Sequence, residues 1–325
     1  MSTDFLPFFS VIIPCYNSVK WIERGLQSLE EQTFKLFEVI LVDDCSEDAT
    51  YDYLLEYKEH SPLDLQVFRN EKNCGPGEAR NRGICKARGE YLTFMDSDDW
   101  YEPDYLDEMG MKIREKKADI VFCDFFRCLS KGKKQWIRCT RNFSEQSCKT
   151  DFITGAFDSL CTLSVKRVLF RSLAIPVIYN AEDGAVVPVL TALAQNIAFI
   201  PKPLYNYRYR YNSLSSSVNI RIVQSFCAAA NFLECHASME YEEEFEYREI
   251  QILLYSVILK ALAFRMGKAE IEKMVSDFKD RKPFWYKNKY LPGLPWRKRF
   301  FLACVRYDFY LPLRIYTRLH RYLLS

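Results

Sequence analysis

Short apolar segments alternate with helical segments through the first 126 residues, and this alternation restricts the possible folds more than any other feature of the chain. Apolar runs that suit buried strands lie at 8–14, 37–44, 65–70, 90–99 and 119–126. The helices predicted between them lie at 18–32, 46–60, 75–89 and 103–117, the first with Ser18 as its N-cap. Continuous apolar strands separated by helices are typical of a parallel sheet covered on both faces. The predicted fold class is therefore α/β, with a mostly parallel sheet flanked by helices.

Polar residues follow three of these strands, in "PCYN" (14–17), "VDDCSED" (42–48) and "MDSDD" (95–99). Ligands of such sheets bind outside the carboxyl ends of the strands, so the three endings are expected to open on one crevice. Five acids are then expected near one rim: Asp43, Asp44, Asp96, Asp98 and Asp99. Two like charges ~4 Å apart repel by roughly 4 kcal/mol at an effective dielectric of ~20, so such a group indicates a bound cation. Oxygen ligands suit Mg²⁺ or Mn²⁺, which would bridge the carboxylates to a substrate diphosphate.

Each acidic loop also has a simpler interpretation when it is taken alone. Asp99, just before "WYEPDYL", fits a turn or a helix N-cap, and Ser46 and Asp48 fit caps of the next helix. The joint occurrence at three strand ends is what favours a cation site.

The composition excludes several other classes of protein. The 325 residues include 12 cysteines, with no C-x-x-C pair, and only three histidines, which argues against a disulfide scaffold and a zinc site. The N-terminus lacks the pattern of a signal peptide, and no apolar segment reaches 18 residues. A reducing, cytoplasmic location is expected.

Four quoted segments together resemble one known family. They are "SVIIPCYN", "FEVILVDDCSED", "NCGPGEARNRGICKARGEYLTFMDSDDW" and "NAEDGAVVPVLTALAQ". The chain is similar to the inverting nucleotide-sugar glycosyltransferases of family 2, which have the Rossmann-like GT-A fold. The similarity runs without obvious gaps from about residue 8 to 105 and more loosely to 217, or roughly two-thirds of the chain. It implies a GT-A catalytic domain over 1–217 and a helical C-terminal region over 218–325.

The resemblance also implies roles for individual residues. Six would bind the nucleotide-sugar: Pro14, Tyr16, Asp44, Arg80, Asn81 and Asp96. Among these, Asp44 would accept a hydrogen bond from the uracil ring and Asp96 would reach the ribose. Asp98, with Asp99, would hold Mn²⁺ or Mg²⁺ in a DXD motif. Asp183 would be the catalytic base, although an acid at the start of an apolar helix also favours the helix dipole.

Two positions depart from the family pattern. Cys45 stands where the family has glycine, and a residue with a Cβ tolerates positive φ poorly, so a reshaped turn is expected. Small residues follow "ED" at 182–183, where the family has bulkier aromatic or acidic ones.

The resemblance implies a reaction that transfers a sugar, with inversion, from a nucleotide-sugar to a hydroxyl of a glycan or lipid-linked acceptor. The donor is expected to be a UDP-sugar, and the process is expected to be cell-surface polysaccharide biosynthesis. Nucleotidyl transfer is an alternative, but the chain has no P-loop. A catalytically degenerate transferase that serves as a membrane-associated binding partner is another, and the acids at 44, 96, 98 and 183 argue against it.

Two arginines in "YNYRYRYNSLS", Arg208 and Arg210, are candidates for contacting the diphosphate. The favoured interpretation is a strand with aromatic residues inward and basic residues outward.

The last 45 residues, 281–325, mix basic and aromatic side chains and carry a net charge of +10, against +2 for the whole chain. A helix from Trp296 onward would suit an anionic membrane interface. Binding of single-stranded nucleic acid, or packing on the catalytic domain or a second subunit, are the alternatives. With a nucleotide-sugar site upstream, membrane contact at the inner face of the plasma membrane is favoured. A homo-oligomer is left open, and no nucleic-acid partner is expected.

Overall fold

The computed structural model describes residues 6–129, 132–155, 157–210 and 219–324, with side chains through residue 317. The chain divides into two compact units. The first contains the described residues up to Val177 and from Glu182 to Arg210. The second contains Ile178–Ala181 and the described residues from Asn219 onward.

The first unit is built around one sheet. Its strands are β1 (Phe9–Cys15), β2 (Phe37–Asp43), β3 (Leu65–Arg69), β4 (Tyr91–Phe94), β5 (Trp100–Tyr101), β6 (Ile120–Cys128), β7 (Lys134–Ile137), β8 (Leu163–Lys166) and β9 (Ile197–Arg208). The order across the sheet is β3-β2-β1-β4-β8-β6-β9-β5, and β7 pairs with β6. Strands β1 to β4 are parallel, whereas β8 lies antiparallel between β4 and β6. The sheet is therefore mixed, and β6 forms a second parallel pair with β9 on the far side of β8.

The α-helices in the described part of the first unit are α1 (Ile22–Glu30), α2 (Thr50–His60), α3 (Pro76–Lys86), α4 (Tyr105–Lys116), α5 (Lys149–Gly155) and α6 (Glu182–Leu193). The expectation that Ser18 caps α1 was wrong. The Ser18 hydroxyl lies 2.6 Å from Ser97 Oγ and contacts the Tyr16 carbonyl, so it does not serve a helix N–H, and α1 begins only at Ile22.

The predicted fourth strand, 90–99, ends early. It stops at Phe94 because the chain then turns, with the Asp99 N–H donating to the Asp96 carbonyl at 3.0 Å. The acids of "DSDD" therefore lie on a tight turn beyond the sheet.

Helix α3 lies very close to the sheet. A Cβ added at Gly83 would lie 2.5 Å from Ile12 Cγ2 of β1, which no side chain tolerates without a shift. The helix starts after Gly75, whose φ of +88° is a conformation that glycine adopts at low cost. These two glycines fix α3, and with it Arg80, against the carboxyl ends of the strands.

The second unit is helical. Its helices are α7 (Ile220–Cys235), α8 (Glu242–Glu249), α9 (Ile258–Phe264), α10 (Lys268–Arg281), α11 (Trp296–Arg306) and α12 (Tyr310–Leu324), with a π-helical segment at Ile250–Val257. Its core includes the buried side chains of Ile250, Leu254, Phe278, Phe301 and Leu313. Within the described part of the chain, no helix is both long and apolar enough to cross a bilayer.

Candidate active site

The polar strand endings share one rim of the sheet, as predicted. Cys15 at the end of β1 is in register with Asp43 at the end of β2, and Phe94 of β4 is in register with Ile12. The acids at this rim do not form one cluster, because different protein groups bind them. Over the described ranges, no three His, Cys, Asp or Glu side chains are arranged to hold a metal ion together.

Arg80 connects the strand end to helix α6. Its Nη2 lies 2.7 Å from Asp96 Oδ1, and its Nη1 lies 2.7 Å from Glu182 Oε1. The same Nη1 lies 3.8 Å from Asp183 Oδ1. The Arg80 side chain is only 3% exposed, so these pairs are shielded from solvent. One buried guanidinium thus holds the predicted ribose-binding acid and the predicted base in a fixed arrangement.

Asp183 has the chemistry expected of a general base. It lies in the first turn of α6, its side chain is 21% exposed, and its Oδ2 accepts a hydrogen bond from the Leu160 N–H at 3.1 Å. Burial raises the pKa of Asp183 to about 7; Arg80 opposes the rise, and Glu182 and Asp96 add to it. No described residue hydrogen-bonds its Oδ1. A carboxylate with this pKa is matched to proton abstraction near neutral pH.

The "DSDD" turn presents its carboxylates in different directions. Asp99 is buried, and its two oxygens accept from the Tyr205 hydroxyl at 2.5 Å and the Arg208 N–H at 2.7 Å. Burial raises the pKa of Asp99 well above its usual range, with Asp98 and Asp96 adding to the effect. Asp98 instead pairs through Oδ2 with Arg210 Nη2 at 2.5 Å. Of the two predicted metal ligands, Asp99 has both oxygens bound within the protein, whereas Asp98 is engaged through Oδ2 alone.

The pairing of β5 with β9 brings two arginines to this turn. Arg208 donates from Nε to the Asp98 carbonyl at 2.8 Å, and its guanidinium lies 5.2 Å from the Trp21 ring and 5.3 Å from the Trp100 ring. Arg210 also lies over Trp21, at 5.6 Å. The favoured outward-facing strand does not describe them, because β9 ends at Arg208 and both guanidinium groups turn toward Asp98.

Two predicted nucleotide-binding residues are engaged with the protein backbone. Asp44 is 3% exposed, and its oxygens accept from Asn70 Nδ2 at 2.7 Å and from the N–H groups of Cys74 at 3.0 Å and Gly75 at 2.6 Å. The Asn81 amide exchanges two hydrogen bonds with the Ile175 backbone, at 2.8 and 2.9 Å. Both side chains therefore hold α3 in place through hydrogen bonds to other parts of the protein.

The other residues considered at the rim lie near the ends of β1 and β2. Pro14 is buried within β1, and Tyr16, just beyond it, is 43% exposed. The expectation of a reshaped turn at Cys45 was wrong: Cys45 adopts the left-handed conformation with φ of +59°, and its Sγ contacts the Glu71 carbonyl at 3.6 Å.

Sequence reasoning missed Trp21, Leu160 and Tyr205. Leu160 and Tyr205 bind the predicted acids, and Trp21 lies against the two arginines. The only usable signal was the alternation of tyrosine and arginine in 205–211. This alternation indicated a strand but did not indicate that the strand pairs with β5 beside the "DSDD" turn.

Known proteins resemble the chain in sequence and in fold. Residues 10–173 match the model of glycosyl transferase family 2. The putative glycosyltransferase EpsH of Bacillus subtilis is 29% identical, covering 74% of this chain and 73% of that protein. Glycosyltransferase GlyA of Streptococcus pneumoniae is 30% identical over 63% of this chain, but the matched part spans only 31% of that longer relative.

A solved structure resembles the chain over almost its whole length. It is TarS 1–349 of Staphylococcus aureus in complex with UDP-GlcNAc, with a TM-score of 0.69 and 24% identity, covering 96% of this chain and 91% of that chain. The similarity confirms the predicted α/β GT-A fold with a helical C-terminal region.

Proposed function

Since the chain belongs to glycosyl transferase family 2, we propose that it transfers a sugar, with inversion, from a UDP-sugar to a hydroxyl of a glycan or lipid-linked acceptor. The observation that carries the proposal is the buried Arg80, which joins Asp96 on the donor side to Glu182 and Asp183 on the acceptor side. We further propose that the reaction takes place at the inner face of the plasma membrane, during the assembly of cell-surface polysaccharide.

The donor would lie along the rim formed by the ends of β1 and β4. Tyr16 is exposed there and offers an aromatic surface to the base, beside Pro14. The Asp96 side chain is 39% exposed, and Arg80 occupies only its Oδ1, which leaves the second oxygen for a ribose hydroxyl.

The acceptor hydroxyl would be deprotonated by Asp183 as it attacks the anomeric carbon. The new carbon–oxygen bond forms while the bond to the phosphate oxygen breaks, the proton passes to Asp183, and the nucleoside diphosphate takes the electron pair. General base catalysis of this kind contributes about 10²–10⁴-fold. Inversion follows because the attack and the departure occur on opposite faces in a single displacement.

The leaving diphosphate needs positive charge near the "DSDD" turn. Asp98 is the residue that would hold Mn²⁺ or Mg²⁺, and the bound ion would supply Lewis-acid neutralisation of the diphosphate. A single carboxylate suffices for an ion whose other ligands are phosphates and water. Arg210, paired with Asp98 through Oδ2, would supply a further positive charge for the diphosphate at this turn.

A panel of UDP-, GDP- and TDP-sugars, with and without Mn²⁺, tests this function through thermal shift and donor hydrolysis. We expect a UDP-selective rise in melting temperature and slow hydrolysis that Asp183→Asn abolishes. A preference for GDP-sugars would show that the nucleobase pocket does not select uracil, and the assignment of a UDP-sugar donor would be wrong. No hydrolysis and no transfer by the wild-type chain, with nucleotide binding intact, would favour the degenerate transferase instead.

A further inference from the structure

Helix α11 of the second unit carries apolar residues on two opposite sides. Phe301, Leu302 and Val305 are buried in the core of the unit. Trp296, Phe300 and Tyr307 lie on the other side, with 67%, 48% and 57% of their surface exposed. Their spacings of four and seven residues place them on one stripe of the helix. A single exposed aromatic residue is ordinary, but a stripe of them indicates a binding surface.

Exposed apolar residues also follow at the start of α12. The rings of Tyr307 and Phe309 lie 6.0 Å apart, and Phe309 is 57% exposed. Leu311 and Ile315, one helical turn apart, are 72% and 51% exposed. We define the outer face as these six residues: Trp296, Phe300, Tyr307, Phe309, Leu311 and Ile315.

The outer face is bordered by cations. Arg297, Arg299 and Arg314 are exposed, and none forms an ion pair with a residue that the structure describes. The one acid between residues 296 and 315 is Asp308, and Lys279 Nζ occupies its oxygens at 2.8 and 3.0 Å. The border therefore keeps its positive charge and favours an anionic partner.

We propose that the outer face docks on an anionic lipid surface, with the aromatic and aliphatic side chains inserted at the headgroup level and the arginines bound to lipid phosphates. A second copy of the chain is disfavoured because it would bring two positive borders together. Nucleic acid would leave Leu311 and Ile315 without an apolar contact. The inference deepens the proposed function, since it gives the membrane-associated enzyme a specific attachment surface, but it can be tested without any donor.

Flotation of the full chain with vesicles tests the proposal. Vesicles of phosphatidylcholine alone are compared with vesicles that also contain phosphatidylglycerol, at low and high NaCl. We expect binding only to the anionic vesicles, weakened by salt. The pair Arg297→Gln and Arg299→Gln should lower binding at least about tenfold, because each cation near an anionic surface contributes separately. The pair Lys273→Gln and Arg281→Gln in α10 makes the same change of charge, and Arg281 pairs with Glu234 of α7 rather than with the outer face, so this control should leave binding nearly unchanged.

The combination Trp296→Ser, Phe300→Ser and Leu311→Ser should abolish binding, with Met239→Ser, at a fully exposed methionine of the same unit, as its control. Melting curves check that the variants fold. The proposal would be overturned if the α10 pair and the α11 pair lost vesicle binding equally, or if the wild type did not bind the vesicles. It would also be overturned if the wild type formed a dimer that Trp296→Ser dissociates. Donor hydrolysis without vesicles should be unchanged in these variants. If the wild type bound vesicles but did not hydrolyse any donor, the result would count against the transferase function and not against the membrane-binding surface.

Discussion

Arg80 and Glu182 form a buried ion pair with 2.7 Å between Nη1 and Oε1, although 102 residues separate them in the chain. The pair ties α3, which is anchored at the donor rim, to α6, which carries the proposed base. Because Arg80 also binds Asp96, the proposed donor side and the proposed acceptor side of the site depend on one side chain.

Replacement of the base should affect turnover far more than donor binding. Asp183→Asn keeps an oxygen that can accept from the Leu160 N–H but cannot take a proton. We expect kcat to fall about 10²–10⁴-fold, while the thermal shift with UDP stays within error. An equal loss of UDP binding would show instead that Asp183 shapes the donor site.

The pH dependence follows from the raised pKa of Asp183, about 7. The ionised form is the active one, so kcat/KM should rise with pH to a plateau above this value and fall about tenfold per pH unit below it. The measurement is a pH profile of transfer or donor hydrolysis. If this rising limb of the profile were instead centred near pH 4, the Asp183 carboxylate would not be desolvated.

Substitution of Arg80 should move that limb. The Arg80 charge lowers the pKa of Asp183, so Arg80→Met should displace the limb to higher pH, whereas Arg80→Lys should leave it near its wild-type position with lower kcat. Loss of the partner of buried carboxylates costs roughly 3–5 kcal/mol of stability, so the lysine variant is the one expected to fold reliably. An unshifted limb in a folded Arg80→Met would exclude this electrostatic coupling.

The two acids of the "DSDD" turn should behave differently. Asp98→Asn should remove the response of activity and melting temperature to Mn²⁺ and leave the fold intact. Asp99→Asn, its neighbour, should change stability, because Asp99 receives the Tyr205 hydroxyl and the Arg208 N–H in a buried position. Manganese titrations followed by thermal melting separate the two. If Asp99→Asn alone abolished the metal response, the assignment of Asp98 would be wrong.

Asp44 should contribute mainly to stability. Asp44→Ala leaves the N–H groups of Cys74 and Gly75 without their acceptor at the start of α3, at a cost of about 1–3 kcal/mol. The exposed Glu47→Ala, three residues away, should cost little. Urea denaturation measures the difference, and a parallel UDP titration tests the role in base binding that the resemblance implies. A stable Asp44→Ala that no longer binds UDP would support that role.

The sequence predicted best what depends on neighbouring residues. Continuous apolar runs such as "FSVIIPC" located β1 to β4, since a strand buried on both faces leaves a simple pattern. Strand β8, "LSVK", has only four residues and no such pattern, so its antiparallel insertion between β4 and β6 was not predicted. The acids of the rim were found, but their partners were not. The contacts of Asp44 with the start of α3 and of Asn81 with Ile175 depend on loop geometry that residue types do not encode.

The buried Arg80 limits how this enzyme can be recombined with its relatives. A chimera that joined the donor-side half of one glycosyltransferase to the acceptor-side half of another would take the guanidinium from one parent and the α6 carboxylates from the other. If the second parent lacked an acid at the position of Glu182, the Arg80 guanidinium of the hybrid would be buried without that carboxylate partner. Exchange of acceptor specificity in this scaffold therefore requires both sides of that pair to be transplanted together.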